Sequence, residues 1–348
     1  MCALLAALLQ CAAAAAVPTF DRFEMLRQQD LRVARVAYRL AIANASRCGA
    51  VATAQPGFVL HGLGQYAPPD REAAAQRFAL DRHVGVMAVV VGSPAAQAGL
   101  MAGDQVLAVD GRGIDLPSAV GPPDRNAVDS VRSTLVAALQ HGPITLTVSS
   151  AKGVRDLRFA AALGCPSDVE LVTGADINAW ADGSRVIIGD GLLLRCATDD
   201  DLALVIGHEM AHNLLHHRRR LAADGVVVNG LLPLSTTSSR SVLVTEEEAD
   251  RLAVALATAA GFDMSGAPDF IGTLMSAGVP VTTHPDLVRR VTLLRAAIAD
   301  PRRASAAIVS DRASPRWQCQ LPMMAFGAQK QPQAPWFRAR CRRCRPCL

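Results

Sequence analysis

The pentapeptide His208-Glu209-Met210-Ala211-His212 constrains this chain more than any other stretch. Two imidazoles four residues apart can face one point only if the backbone between them is helical, because positions i and i+4 share a helix face. The flanking residues supply that helix. Thr198 is placed to N-cap it, Asp199, Asp200 and Asp201 fall in the first turn, where negative charge is favoured, and Leu202, Leu204, Val205 and Ile206 follow. Arg218, Arg219 and Arg220 suit the negative end of the helix dipole, and Gly225 suits a stop. Taken alone, the pentapeptide is also what two histidines on a polar helix face would look like, so its chemical meaning depends on what else the chain offers.

Two histidines on one face suit a metal ion that still needs a third protein ligand and an open position, and a carboxylate from a second helix is one solution. Thr245-Glu246-Glu247-Glu248-Ala249-Asp250 predicts such a helix, with Thr245 and Glu248 in a capping-box pattern and Leu252, Ala253, Ala255 and Leu256 forming an apolar face before Gly261. Glu246 and Asp250 lie four apart and so share a face. One can bind the ion while the other accepts the Nδ1 hydrogen of a ligand histidine, which fixes the ring and makes it more basic. Glu247 is expected to be a solvated first-turn acid, and His216 and His217 are expected at the surface, since three ligands are already assigned.

The rest of the chain supplies two bodies. Apolar positions at helical spacing from Asp21 to about Ser46 predict one long amphipathic helix ending near Gly49. The segment from Gln55 to Asp81, rich in Gly, Pro and Ala, reads as a connection. Short β-rich runs then follow at Val86 to Val91, Gln105 to Val109, Ile144 to Ser149 and Val154 to Phe159, with a helix from Val128 to Gln140. Gly92-Ser93-Pro94-Ala95-Ala96-Gln97-Ala98-Gly99-Leu100 and Gly103-Asp104-Gln105-Val106-Leu107-Ala108-Val109-Asp110-Gly111 resemble the PDZ domain as bacterial proteases carry it. The resemblance implies a groove between a strand and a helix where an extended peptide adds as a further strand; a loop before Val86 that would hold a C-terminal carboxylate is not a clear match. Strands are expected again at Val169 to Thr173 and Arg185 to Ile188.

With the two carboxylates in place, the chain from Cys165 to about Asp300 resembles peptidase family M48, in which HExxH is followed by an ExxxD helix. Asn178-Ala179-Trp180 is similar to the family's Asn-Ala-aromatic segment, and Thr283-His284-Pro285 with Arg290 is similar to its Thr-His-Pro element with a following Arg. The resemblance implies an α+β fold: a mostly helical zincin-type domain with a small edge β-sheet, beside a small β-rich PDZ-like domain. It also implies one Zn2+ per subunit held by His208, His212 and Glu246, with Glu209 taking a proton from the attacking water and returning it to the leaving amine. Asp250 would orient a ligand imidazole. His284 would either stabilise the oxyanion, block the open position or serve only in a turn; Arg290 would hold that loop or contact the intermediate. Asn178, Ala179 and Trp180 would bind extended substrate.

Composition bounds the partners and the compartment. Eight Arg and Lys residues follow the last acid, Asp311, so removing them turns the net charge from +4 to −4. The basic balance belongs to the tail, and the body has no electrostatic footprint for nucleic acid. Met1 to Val17 is apolar but shorter than the roughly 20 residues of a spanning helix and ends in Ala14-Ala15-Ala16, as a secretory signal peptide does. In an oxidising compartment Cys48 and Cys165 are candidates to pair. The expected organisation is a signal peptide at 1–17, a helix at 21–50 packing with the peptidase part, a PDZ-like domain at 57–162, an M48-like domain at 165–310 and a basic, Cys-rich disordered tail at 311–348. The expected function is an exported zinc metalloendopeptidase of the bacterial periplasm or envelope, cleaving misfolded or envelope polypeptides, soluble or peripherally attached to a membrane. The alternative is a protease-inactive or latent zinc-binding chaperone or scaffold working through the PDZ-like groove.

Overall fold

A computed structural model describes residues 21–166, 168–174, 176–226, 228–229, 232–233, 240–276 and 286–301. The expected signal peptide, the tail and Thr283-His284-Pro285 lie outside these residues.

Helices build the body that carries the HExxH motif. Asp21 caps the N-terminal helix, Arg22–Ala43, by accepting from the amides of Phe23 and Glu24. That helix buries Val33, Val36, Ala37, Leu40 and Ala41 against the HExxH helix, Asp199–Leu214, and a third helix, Arg240–Ala259. Aromatic residues are only 4% of the chain, and this core accordingly uses small side chains. A Cβ on Gly207 would lie 3.3 Å from both Cα and the carbonyl oxygen of Ala253, so the HExxH helix and its neighbour meet almost backbone to backbone. The helices Ala267–Ser276 and Leu287–Ala299 close the body through Phe270, Ile271, Leu274 and Leu294. Among the described residues no helix is long and apolar enough to cross a membrane.

A three-stranded sheet flanks these helices: Asp168–Val172 runs parallel to Arg185–Gly189, and Ala179–Ala181 pairs antiparallel on the other side, at the sheet edge. Asn213, the residue after HExxH, ties the sheet to the helix: its Nδ2 donates to the Arg185 carbonyl at 2.9 Å and its Oδ1 accepts from the Gly183 amide at 2.8 Å.

A second core forms around an antiparallel sheet in the order Phe58–His61, Val84–Val89, Gln105–Val109, Ile144–Ser150, Gly153–Phe159, covered by the helix Asn126–His141 through Val128, Leu135 and Leu139. The opposite face of Val84–Val89 is covered too: Met87 packs with Ala74, Phe78 and Leu80 and, through them, with Phe23 and Leu26 of the N-terminal helix. The chain enters and leaves this part through a two-stranded neck, Thr53–Gln55 with Ala162–Gly164, and Cys48 and Cys165 form a disulfide at its base with Cα atoms 5.3 Å apart. Gly164 is required there, since a Cβ would lie 2.8 Å from the Ala41 carbonyl carbon. Ion pairs Arg125–Glu170 and Arg132–Asp168 hold the covering helix to the three-stranded sheet.

Several expectations are corrected. The stretch from Gln55 to Asp81 is not a plain connection, for it contains the edge strand Phe58–His61 and the helix Arg71–Phe78. Four residues are too short for an alternation to declare itself, and buried His61 reads as polar. The strand expected at Val86 to Val91 is Val84–Val89, and Val91 is exposed. Arg218 to Arg220 do not end the HExxH helix; they lie on a separate helix, His217–Ala223, beyond a left-handed residue at His216 (φ +54°). Thr245 does not cap its helix, which starts five residues earlier; its Oγ1 donates to the Val242 carbonyl at 2.8 Å and the residue is buried. Glu247 is not merely solvated, being paired with Arg251 and Arg289.

Candidate metal centre

The HExxH helix begins as its sequence dictates: Thr198 Oγ1 accepts from the Asp201 amide and Asp201 returns the bond by accepting from the Thr198 amide. Ten consecutive residues, Leu202 to Ala211, are buried, so His208 and Glu209 reach the site from the centre of the molecule rather than from a surface helix. The neighbouring helix passes antiparallel, with Ala253 opposite Gly207. That close approach brings Glu246 and Asp250 within reach of the histidines.

Three donors converge. His208 Nε2 and His212 Nε2 are 3.1 Å apart, and the two oxygens of Glu246 each lie 3.4 Å from one of them. One ligand atom from each residue can be chosen so that all lie within 4.8 Å of one another. Two imidazole nitrogens pressed against a shared carboxylate, with little solvent around them, form a donor set that fits a divalent ion of the zinc type with a position left open.

The opposite nitrogens are held away from this point. His208 Nδ1 is 2.9 Å from Asp250 Oδ1, and Arg290 grips Asp250 from the other side, Nε to Oδ2 at 2.9 Å and Nη2 to Oδ1 at 2.8 Å. Burial opposes charge on His208, yet the Asp250 and Glu246 carboxylates outweigh it and pull the imidazole up to about 10. The field at this spot therefore favours positive charge, the condition a cation requires. Burial likewise opposes charge on Asp250, but Arg290 and His208 hold it well below the ordinary carboxylate range.

His217 overturns an expectation. It is fully buried, with Nδ1 2.9 Å from His212 Nδ1 and Nε2 3.0 Å from Glu248 Oε2, and Arg220 Nη1 donates to the same oxygen at 2.6 Å. Helical extrapolation from His212 misplaces it because the helix ends and the chain turns through His216; no local signal in the sequence announces that turn.

Of the remaining candidates, Glu209 is buried, and its charge favours the charged form of Arg290. Ala179 and Trp180 lie half-buried on the edge strand of the three-stranded order, packed near the HExxH helix, and Asn178 precedes them, its carbonyl accepting from the Gly189 amide at 2.9 Å. Arg290 is on Asp250. His284 lies outside the described residues.

The HExxH helix therefore lies beside a helix whose Glu246 meets both histidines and whose Asp250 meets His208. Comparison with known proteins agrees: Peptidase family M48 matches residues 154–235 and the PDZ domain matches residues 85–118. Over those residues the chain is similar to family M48 and to the PDZ domain. It is similar to the Beta-barrel assembly-enhancing protease of Escherichia coli (strain K12) and to that of Shigella flexneri, each 23% identical over 194 residues. Each similarity covers 48% of this chain and 40% of the relative, so the chain spans less than half of the relatives' length. The M48 match ends at residue 235, before Glu246 and Asp250, which the sequence spacing singles out and the geometry brings to the two histidines.

Proposed function

We propose that the chain is an exported zinc metalloendopeptidase that hydrolyses peptide bonds in misfolded or envelope polypeptides. The observation that carries this reading is the convergence of His208, His212 and Glu246 in a buried site with Glu209 alongside. Zinc, when bound, supplies Lewis acidity and makes water acidic enough to attack near neutral pH. Glu209 holds and moves the proton, taking it from the attacking water and delivering it to the leaving nitrogen, a contribution of roughly 10²–10⁴-fold. Asp250, fixed by Arg290, keeps the proton of His208 on Nδ1 and leaves Nε2 free to ligate. On this geometry Arg290 acts through Asp250 rather than on substrate. An extended substrate would add alongside Asn178, Ala179 and Trp180 as a fourth strand. The reading for His284 keeps its three alternatives: stabilising the oxyanion, blocking the open position, or serving only in a turn.

The proposed organisation is an M48-like domain at 165–310, joined by the helix at 21–50, with a PDZ-like module at 57–162 set between them. Peptide capture by that module would use the sheet-edge strand Phe58–His61 and the helix Asn126–His141. The two border a small cavity of about 80 Å³ that Tyr38 of the N-terminal helix also lines. The relatives are named for enhancing β-barrel assembly, which fits an envelope setting.

The test is metal content and casein cleavage for the purified protein, Glu246→Ala and Glu209→Gln. Near-stoichiometric zinc with chelator-sensitive cleavage is expected, with zinc lost from Glu246→Ala and cleavage alone lost from Glu209→Gln. Zinc retained by Glu246→Ala would refute the ligand set; zinc without cleavage in the unaltered protein would favour a latent scaffold.

A further inference from the structure

We propose that His217, Glu248 and Arg220 form a positioning relay for the second metal ligand, His212, equivalent in task to Asp250 and Arg290 behind His208 but built from different residues. The inference rests on the metal-centre reading above and deepens it.

His212 presents Nε2 to His208 and Glu246, so ligation there obliges its hydrogen to sit on Nδ1. Nδ1 lies 2.9 Å from the Nδ1 of His217, which must then accept. An imidazole accepting at Nδ1 carries its own hydrogen on Nε2, and that atom lies 3.0 Å from Glu248 Oε2. The carboxylate is held in turn by the guanidinium of Arg220. Every bond in this chain has one allowed direction once the ion is bound. The same geometry excludes His217 as a further ligand, since both of its nitrogens are engaged on the far side of the His212 ring.

The two ligand histidines are thus fixed unequally. His208 meets a carboxylate directly, whereas His212 meets a neutral ring with the carboxylate one residue further from the ion. The backbone is shaped for this: His216 takes a left-handed conformation, uncommon for a residue with a side chain, and delivers His217 fully buried at the start of the next helix. A histidine in the first turn of a short helix has no packing need to be buried, and Glu248 would otherwise remain a surface acid.

Partners of this kind typically govern 10- to 100-fold in metal affinity. The experiment is zinc affinity, by competition with a chromophoric chelator, for the full chain, His217→Leu, His217→Gln and Glu248→Ala, with the Co2+ absorption spectrum of each. Glutamine keeps the relay's polarity: its carbonyl accepts from His212 and its amide donates to Glu248. Zinc affinity should fall about 10- to 100-fold in His217→Leu, less in Glu248→Ala, and be largely restored in His217→Gln, with an altered Co2+ spectrum in the leucine variant only. Unchanged affinity in His217→Leu, or a loss in His217→Gln equal to that in His217→Leu, would overturn the relay while leaving the metal centre standing. Absence of zinc binding by the unaltered chain would overturn both. If His217→Leu does not fold, the comparison of Glu248→Ala with the unaltered chain decides alone: equal affinity refutes the relay.

Discussion

Replacing Arg290 with methionine isolates what the buried ion pair contributes. Asp250 is 1% exposed and Arg290 8%, and the guanidinium donates to both carboxylate oxygens. Methionine fills similar volume but leaves a buried carboxylate whose remaining described partner is the His208 imidazole. Removing one member of such a pair costs about 3–5 kcal/mol, and the His208 imidazole left beside Asp250 places the expected loss toward the lower end of that range. At about 2–4 °C per kcal/mol for a cooperative unit of this size, the melting temperature should fall by about 10 °C. The assay is thermal and urea denaturation of chelator-stripped protein, for Arg290→Met, Asp250→Asn and the double variant. The double variant removes both charges and should recover most of the loss, giving a coupling of about 2 kcal/mol or more. A loss below about 1 kcal/mol, the range of exposed pairs, or a double variant no more stable than Arg290→Met, would refute the claim that the pair is desolvated.

Breaking the disulfide with Cys48→Ala and Cys165→Ala should lower stability by about 2–5 kcal/mol, since it closes a long loop, and reduction of the unaltered chain should shift its melt as far; equal melts with and without reductant would contradict this. Burial pushes the Asp30 carboxyl up to about 7, with Arg125 opposing and Glu170 adding. The folded state therefore holds this proton more tightly than the unfolded chain, and its contribution to stability declines as pH rises from about 4 to about 7. Asp30→Asn should raise the melting temperature most at pH 8, less at pH 5 and little near pH 4, and an equal effect at pH 8 and pH 4 would count against the shift. Burial also pushes the Cys196 thiol up to about 12, so Cys196→Ser should leave fast maleimide labelling of the native protein unchanged while removing one reactive thiol in urea.

What could be read from the residues was whatever a single helix states locally. The Thr198 cap, the three aspartates and the HExxH face depend on neighbours within one or two turns, and they fold as written. Glu246 and Asp250 were legible because four-residue spacing survives an error in the helix start; that start was misread because Arg240 to Val244 carry no cap signal and Thr245–Glu248 imitate one. Glu248 serves His217 and Arg220 instead, partners 31 and 28 residues away. The edge strand Phe58–His61 was missed because its evidence is the sheet it joins. His217 was misassigned because a residue in left-handed conformation resets the helical phase, and periodicity cannot be carried across it.

The bond between Cys48 and Cys165 also sets the covalent topology of the molecule. Everything from residue 49 to 164 hangs as one closed loop from a backbone that stays joined at its base. A single cut anywhere in that loop by a protease releases no fragment. The severed ends remain tethered to the helical body until the bond is reduced, so damage to the loop and loss of the loop are separate events.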